Sequence, residues 1–172
     1  QQRQRAAQES VLEGLMAIDA RQGFRGPVKQ LLTEQERKEF IDKSMKPMGD
    51  EKLQENKLYV ARVTKVEPEG VEVQVGPHKG LLPLMGMRWA RKVNPEAYYP
   101  GAMLTSAKKV VKPGDVIVVR SVAAKDLYDD REQYDKKLFD ALPQNVQLYR
   151  LEQEPELQGA LVSIDPHRQY LS

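Results

Sequence analysis

The sequence predicts an α+β chain: a small β-barrel of about five strands, flanked by N-terminal helices and a C-terminal β segment. Three observations predict it. Apolar residues recur at helical spacing before residue 44 and at strand spacing after residue 57. The strand-like part is rich in valine and is cut at short intervals by turn pairs, Glu69-Gly70, Gly76-Pro77 and Pro113-Gly114. A short helix-like stretch around Trp89 separates the third strand from the last two.

The elements follow in order. Val11, Leu15 and Ile18, with Leu12 and Met16 beside them, form the apolar stripe of a first helix. Gly23 stands where a C-terminal cap belongs, and Pro27 prevents continuation. Thr33-x-x-Glu36 is a capping box that opens a second, polar helix reaching about Lys43. Pro47 and Gly49 break the chain, and 44–56 reads as a linker. Tyr59 to Val66 is β-branched. Val71, Val73 and Val75 alternate with Glu72 and Gln74, as in a strand with one buried face. Gly80 to Leu84 is a third strand, ended by Pro83 or left by it at an edge. A short helix is expected around Met87 to Arg91, and a loop between Asn94-Pro95 and Pro100-Gly101. Leu104 to Val111 reads as a strand, Lys112-Pro113-Gly114-Asp115 as a type II turn and Val116 to Val119 as the strand leaving it. Tyr128, Tyr134, Leu138 and Phe139 are loosely helical, Val146 to Leu151 and Gly159 to Ile164 are β, and Asp165-Pro166 is a turn.

This order matches a closed barrel of the oligonucleotide/oligosaccharide-binding (OB) type. The expected division is a helical linker over 1–56, the barrel over 57–122 and a connector over 123–156. Val60, Val63, Val73, Val75, Leu82, Val116 and Val118 are the expected barrel core.

Composition excludes more than it suggests. The chain is 40% hydrophobic and 30% charged, ordinary values for a folded domain. Its net charge of +2, from 27 basic and 25 acidic residues, provides no strong pull toward nucleic acid or anionic membrane. There is no cysteine, hence no disulfide and no thiolate metal site. No segment has the roughly 18 consecutive apolar residues of a membrane helix, so this stretch itself is not expected in the membrane. It opens on Gln1 without an apolar leader and reads as a piece of a longer protein.

Four sets of residues were candidates for chemistry. Ser106-x-x-Lys109 fits the S-x-x-K of serine acyl transferases, with Lys112-Pro113-Gly114 a poor version of their K-T-G. On a strand, i and i+3 point to opposite faces roughly 10 Å apart, whereas proton transfer needs about 3 Å, so no catalytic residue is assigned. His78 and His167 lie beside prolines, with no second imidazole or thiolate at ligand spacing, so neither a metal site nor a cofactor is expected. Glu67, Glu69 and Glu72 crowd a hairpin without singling out an acid–base pair. Arg88, Trp89, Arg91 and Lys92 are the candidate binding residues: the one tryptophan among cations suits a sugar, a base or an acidic partner. The same ring could instead plug one end of the barrel while the cations reach outward.

Two stretches carry a family resemblance. "AAQESVLEGLMAIDARQGFRGP", Ala6 to Pro27, resembles the segment after the glycosyltransferase domain of class A penicillin-binding proteins, A-x-x-A-V-x-x-G-L-x-x-x-D-x-R-x-G-[YF]-R-G-P, with Ser10 where that pattern has Ala. "LEQEPELQGALVSIDPHRQYLS", Leu151 to Ser172, is similar to the first strand of their transpeptidase domain, P-x-[VL]-Q-G-A-L-V-x-[IL]-D-P, with His167-Arg168-Gln169 replacing the usual Thr-Gly turn. Between them, Gly80 to Pro83, Trp89 to Lys92 and Gly114 to Val119 meet the pattern of the family's OB-like insert. The resemblance makes 157–172 the start of a transpeptidase domain. It implies a bifunctional parent, membrane-anchored on the periplasmic side, that polymerises lipid-linked disaccharide–peptide units and cross-links their peptides by serine acyl transfer. None of the family's catalytic positions matches this chain. The expected role is therefore that of a non-catalytic accessory region of a peptidoglycan synthase. Its partners would be the flanking catalytic domains, together with a regulatory protein or peptidoglycan, and not nucleic acid. The alternative is an RNA-binding barrel, disfavoured because Val71, Val73, Val75, Leu81 and Leu82 stand where such barrels carry base-stacking aromatics.

Overall fold

A computed structural model describes residues 2–45, 52–92, 103–127, 139–143 and 145–154. The expected loop between Asn94 and Gly101, the positions of Tyr128, Tyr134 and Leu138, the strand Gly159 to Ile164, the turn Asp165-Pro166, His167 and the transpeptidase start at 157–172 lie outside these residues, as does part of the linker.

Helix α1 spans Gln2–Gln22 and α2 Glu34–Met45, with the short strand β1, Lys29–Gln30, between them. The capping box forms in full. The Glu36 N–H donates to Thr33 Oγ1 at 3.1 Å, and the Glu36 carboxylate accepts the Thr33 N–H at 3.0 Å and the Leu32 N–H at 2.9 Å. The barrel follows: β2 Leu58–Glu67, β3 Gly70–Val75, β4 His78–Pro83, β5 Asp115–Val122 and β6 Gln147–Glu152. Pairing runs β2-β3-β4-β6-β5 and returns to β2, with β4 and β6 parallel and every other pair antiparallel. The sheet therefore closes on itself, and β1 adds to β5 outside the ring. The chain is an α+β protein with a five-stranded OB-like barrel.

The interior is filled by the valines that alternation points inward. Val63, Val71, Val73, Val75 and Leu82 are fully buried, joined by Met87, Ile117, Val119, Tyr149 and Leu151. Three expected core residues are corrected. Val60 is 50% exposed and Val118 half-buried, because they are cross-strand partners on the outer face. Their neighbours Ala61 and Ile117, also partners, fill the interior instead. Val116 is buried, but on the same face as Val118, where β1 pairs with β5 at Lys29, and not in the interior cluster. A bulge in β2 between Val63 and Lys65 resets the alternation. It brings Val66 back against the core, three residues after Val63, and lets Thr64 Oγ1 donate to the Glu72 carbonyl at 3.0 Å.

Three further expectations change. The fifth barrel strand, β6, comes from the stretch assigned to the connector, so the barrel uses 147–152 as well as 57–122. The helical turn expected at Met87–Arg91 starts earlier, as a 3-10 helix at Leu84–Met87, with Arg88 and Trp89 in the turn after it. Residues 106–111 are not a strand: Ala107–Lys109 form a 3-10 turn, seated by the Ala107 N–H on the Pro68 carbonyl at 3.1 Å. Ala107 and Val111 are buried in the barrel core, so this turn is a plug. The Pro-Gly turn then forms as read, with Gly114 at φ +93° and the Asp115 N–H donating to the Lys112 carbonyl at 3.1 Å.

Candidate functional site: the groove between the first helix and the barrel

The expected stripe of α1 is buried only in part: Val11 and Leu15 are half-buried. Met16 and Asp19 are buried, while Leu12 and Ile18 are 43% and 46% exposed. Asp19 has no business in an apolar interior unless its oxygens are satisfied. Oδ1 accepts Arg25 Nη1 at 2.6 Å, and Oδ2 accepts the side-chain amide of Gln153. That amide also donates to the Gly23 carbonyl at 3.0 Å, while Gln153 Oε1 accepts the Arg25 N–H at 3.2 Å and Arg25 Nη2 donates to the Glu154 carbonyl. Gly23, at φ +107°, ends α1 in the left-handed region and sends the chain back so that Arg25 can return to Asp19. The network joins residues 19–25 to residues 153–154, the two points where the chain enters and leaves the barrel region.

Arg88, Trp89, Arg91 and Lys92 do not form one surface. Arg91 turns inward, 8% exposed, and its Nη2 donates to the Arg21 carbonyl at 2.8 Å, at the negative end of α1. Lys92 is exposed, beside a cleft bounded by Leu104 and Lys109. Arg88 is half-buried, and its carbonyl accepts the Leu104 N–H at 2.8 Å. Trp89 packs against the barrel core and also lines an open groove. Its indole N–H donates to the Leu151 carbonyl at 3.2 Å, and Phe24 meets it edge-on, centroids 6.0 Å apart at 83°.

The groove measures about 750 Å³. Glu13, Ala17, Ala20 and Arg21 of α1 line one side; Trp89, Arg120, Arg150 and Glu152 line the other. Glu152 Oε1 accepts Arg120 Nε at 2.9 Å and Arg150 Nε and Nη2 at 3.1 and 2.9 Å. Arg120 is spent further on the Asn56 carbonyl at 2.9 Å and Met16 Sδ at 3.7 Å. Two guanidiniums thus share one carboxylate, leaving an excess positive charge in the wall. Arg120, Arg150 and Glu152 were missed in the sequence. Arg150-x-Glu152, one residue either side of the inward Leu151, is a same-face pair in a strand, but Arg120 joins it only through the β5–β6 register, Arg120 opposite Arg150.

The other candidates are dispersed. Ser106 and Lys109 share the 3-10 turn, yet the Lys109 amine donates to Thr105 Oγ1 at 2.7 Å. His78 sits half-buried at the start of β4, opposite Val75. Lys65 bridges Glu67 at 2.7 Å and Glu72 at 3.8 Å, and its hydrogen bond holds the Glu67 carboxyl below its ordinary pKa. Among the described residues no group of three His, Asp or Glu side chains is placed to hold a metal ion, and no helix is long and apolar enough to cross a membrane.

The profile of the penicillin-binding protein OB-like domain matches residues 24–157. The chain is 28% identical over 165 residues to penicillin-binding protein 1A of Rickettsia prowazekii (strain Madrid E), covering 95% of this chain and 16% of that protein. It is 28% identical over 167 residues to penicillin-binding protein 1A of Rickettsia typhi (strain ATCC VR-144 / Wilmington), covering 96% and 16%. A crystal structure of penicillin-binding protein 1A from Haemophilus influenzae superposes with a TM-score of 0.48 at 20% identity, covering 87% of this chain and 17% of that one. The chain thus spans about one sixth of the length of the relatives it matches. With a family profile matched across the whole barrel, from Phe24 at the end of α1 past the closing strand, the chain belongs to the OB-like domain family of penicillin-binding proteins.

Proposed function

We propose that this chain is the non-catalytic accessory region of a bifunctional peptidoglycan synthase. Its parent is membrane-anchored, faces the periplasm, polymerises glycan and cross-links peptides by serine acyl transfer. The region spaces the two catalytic domains and offers a docking surface to a partner or to the glycan product. The observation that carries this reading is the polar junction: residues 19–25 and 153–154 are hydrogen-bonded side by side, with the barrel looping out between them. A module attached in this way adds a surface to its host without lengthening the path between the flanking parts. In the Ser106-x-x-Lys109 stretch the Lys109 amine is engaged by Thr105 rather than by a serine.

Fluorescent penicillin tests the reading. The full-length parent is expected to be labelled covalently, and this chain alone is not; labelling of the chain that vanishes in Ser106→Ala would overturn it. Salt-sensitive binding of single-stranded RNA at low micromolar concentration would favour the RNA-binding alternative instead.

A further inference from the structure

The groove has the chemistry of a saccharide site rather than of a protein-docking face. A pyranose ring presents polarised C–H bonds on its faces and hydroxyls at its rim. It is held by an aromatic face with a negative quadrupole, and by planar charged groups beside it that can donate or accept. Trp89 supplies the platform. It is fixed before any ligand arrives, by its N–H bond to Leu151 and by a T-shaped contact with Phe24, so little side-chain entropy remains to be lost on binding. Arg150 supplies the polar edge. It is 42% exposed and spends Nε and Nη2 on Glu152. Glu152 is shared with Arg120, so the three groups together retain one positive charge that a ligand carboxylate would neutralise. The opposite wall is open because α1 presents Ala17 and Ala20 where larger side chains would close it, while Met16 and Asp19 hold the helix at the barrel.

We propose that this groove binds an amino-sugar glycan bearing carboxylates, one sugar ring on Trp89 and a carboxylate on Arg150. The proposal rests on the accessory-region reading above and names the ligand of its docking surface.

Trp89 is the chain's one tryptophan, so its fluorescence reports directly on the groove. The chain would be titrated with a peptide-free glycan tetrasaccharide carrying its lactyl carboxylates, with neutral chitotetraose, with a soluble stem peptide and with single-stranded RNA. The charged tetrasaccharide is expected to shift the emission saturably, with Kd about 1 mM or tighter. Arg150→Gln and chitotetraose should each weaken binding about tenfold, the loss of one charge-assisted hydrogen bond. Ala17→Leu, a helix-compatible change that fills the groove, should abolish it. Lys79→Gln on β4 should leave it unchanged. The groove assignment is overturned by no saturable response, by equal binding to Arg150→Gln or Ala17→Leu, or by a response to the stem peptide or RNA alone. A chain that binds no glycan and takes no penicillin label refutes the groove and leaves the accessory reading standing; a Ser106-dependent penicillin label refutes that reading itself.

Discussion

The barrel wall and the junction between α1 and β6 hold together by different means. In the wall, Val63, Val71, Val73, Val75 and Leu82 fill a closed interior, and the strands that carry β2, β3 and β4 are neighbours in sequence. At the junction, one buried carboxylate, Asp19, is satisfied by Arg25 and by a glutamine 134 residues away. The wall gains from every methylene removed from water and tolerates small adjustments. The junction depends on donors and acceptors meeting one to one, and a single loss leaves a buried group without a partner. The contrast suggests a barrel that folds as a body and a helix fastened to it by a polar lock.

The strongest blow to the wall is Gly80→Ala. A Cβ there would stand 2.4 Å from the Gln147 carbonyl and 2.5 Å from the Tyr149 ring, where β6 crosses β4. A backbone oxygen has nowhere to go, and the parallel β4–β6 pairing that closes the barrel would part. The expected cost is about 3 kcal/mol or more, near the top of the range for overpacking. Urea unfolding followed by Trp89 fluorescence would measure it; an unchanged midpoint would show that the closure is looser than the geometry says.

Asp19→Ala is next, at about 3 kcal/mol for breaking a buried ion pair, less whatever Arg25 recovers by turning to water. The comparison predicts where the loss falls. Amide exchange should speed across residues 10–22 of α1 and stay slow in β2, β3 and β5, because the barrel core does not contain Asp19. Uniform acceleration would mean that wall and junction are one cooperative unit. Thr33→Ala removes one half of the capping box, costs about 1 kcal/mol and frays α2 alone, as helical circular dichroism would show.

The same contrast explains what could be read in the sequence. Alternation in Val71, Val73 and Val75, the Thr33–Glu36 box and the Pro113-Gly114 turn are local signals, each set by neighbours within a few residues, and each is legible. Val60 and Val118 were misplaced because valine satisfies either face of a strand, and only the register that pairs them shows both facing outward. β6 was seen as a strand but not as part of the barrel, since its parallel partner lies more than sixty residues earlier. The site suffered most. Trp89 stood out as the one tryptophan, but Arg120, Arg150 and Glu152 become a group only when β5 and β6 pair. Arg91 looked like a surface cation and is a buried cap, because the α1 carbonyl it serves lies seventy residues upstream.

Acid has the smallest effect, and it distinguishes the barrel from α2. The backbone N–H groups of Thr33 and Leu32 hold the Glu36 carboxyl below its ordinary pKa. A depressed carboxylate contributes stability above its unfolded pKa and loses it as the pH falls through the folded value. Asp115 behaves oppositely. It is buried beside the Pro-Gly turn, with Oδ2 on the Lys112 N–H at 2.7 Å, and burial pushes its pKa up. Its ionised form therefore costs the folded state, and that cost is relieved as the pH falls through the raised value. Lowering the pH should thus ease the barrel at Asp115 and loosen α2 at Glu36, two effects of opposite sign. Unfolding midpoints against pH should lose the gain in acid in Asp115→Asn, while the fall in helical signal in acid should flatten in Glu36→Gln, whose amide keeps an oxygen for the same N–H groups. If both variants track the parent chain throughout, neither carboxylate titrates differently on folding, and the acid response belongs to groups elsewhere in the chain.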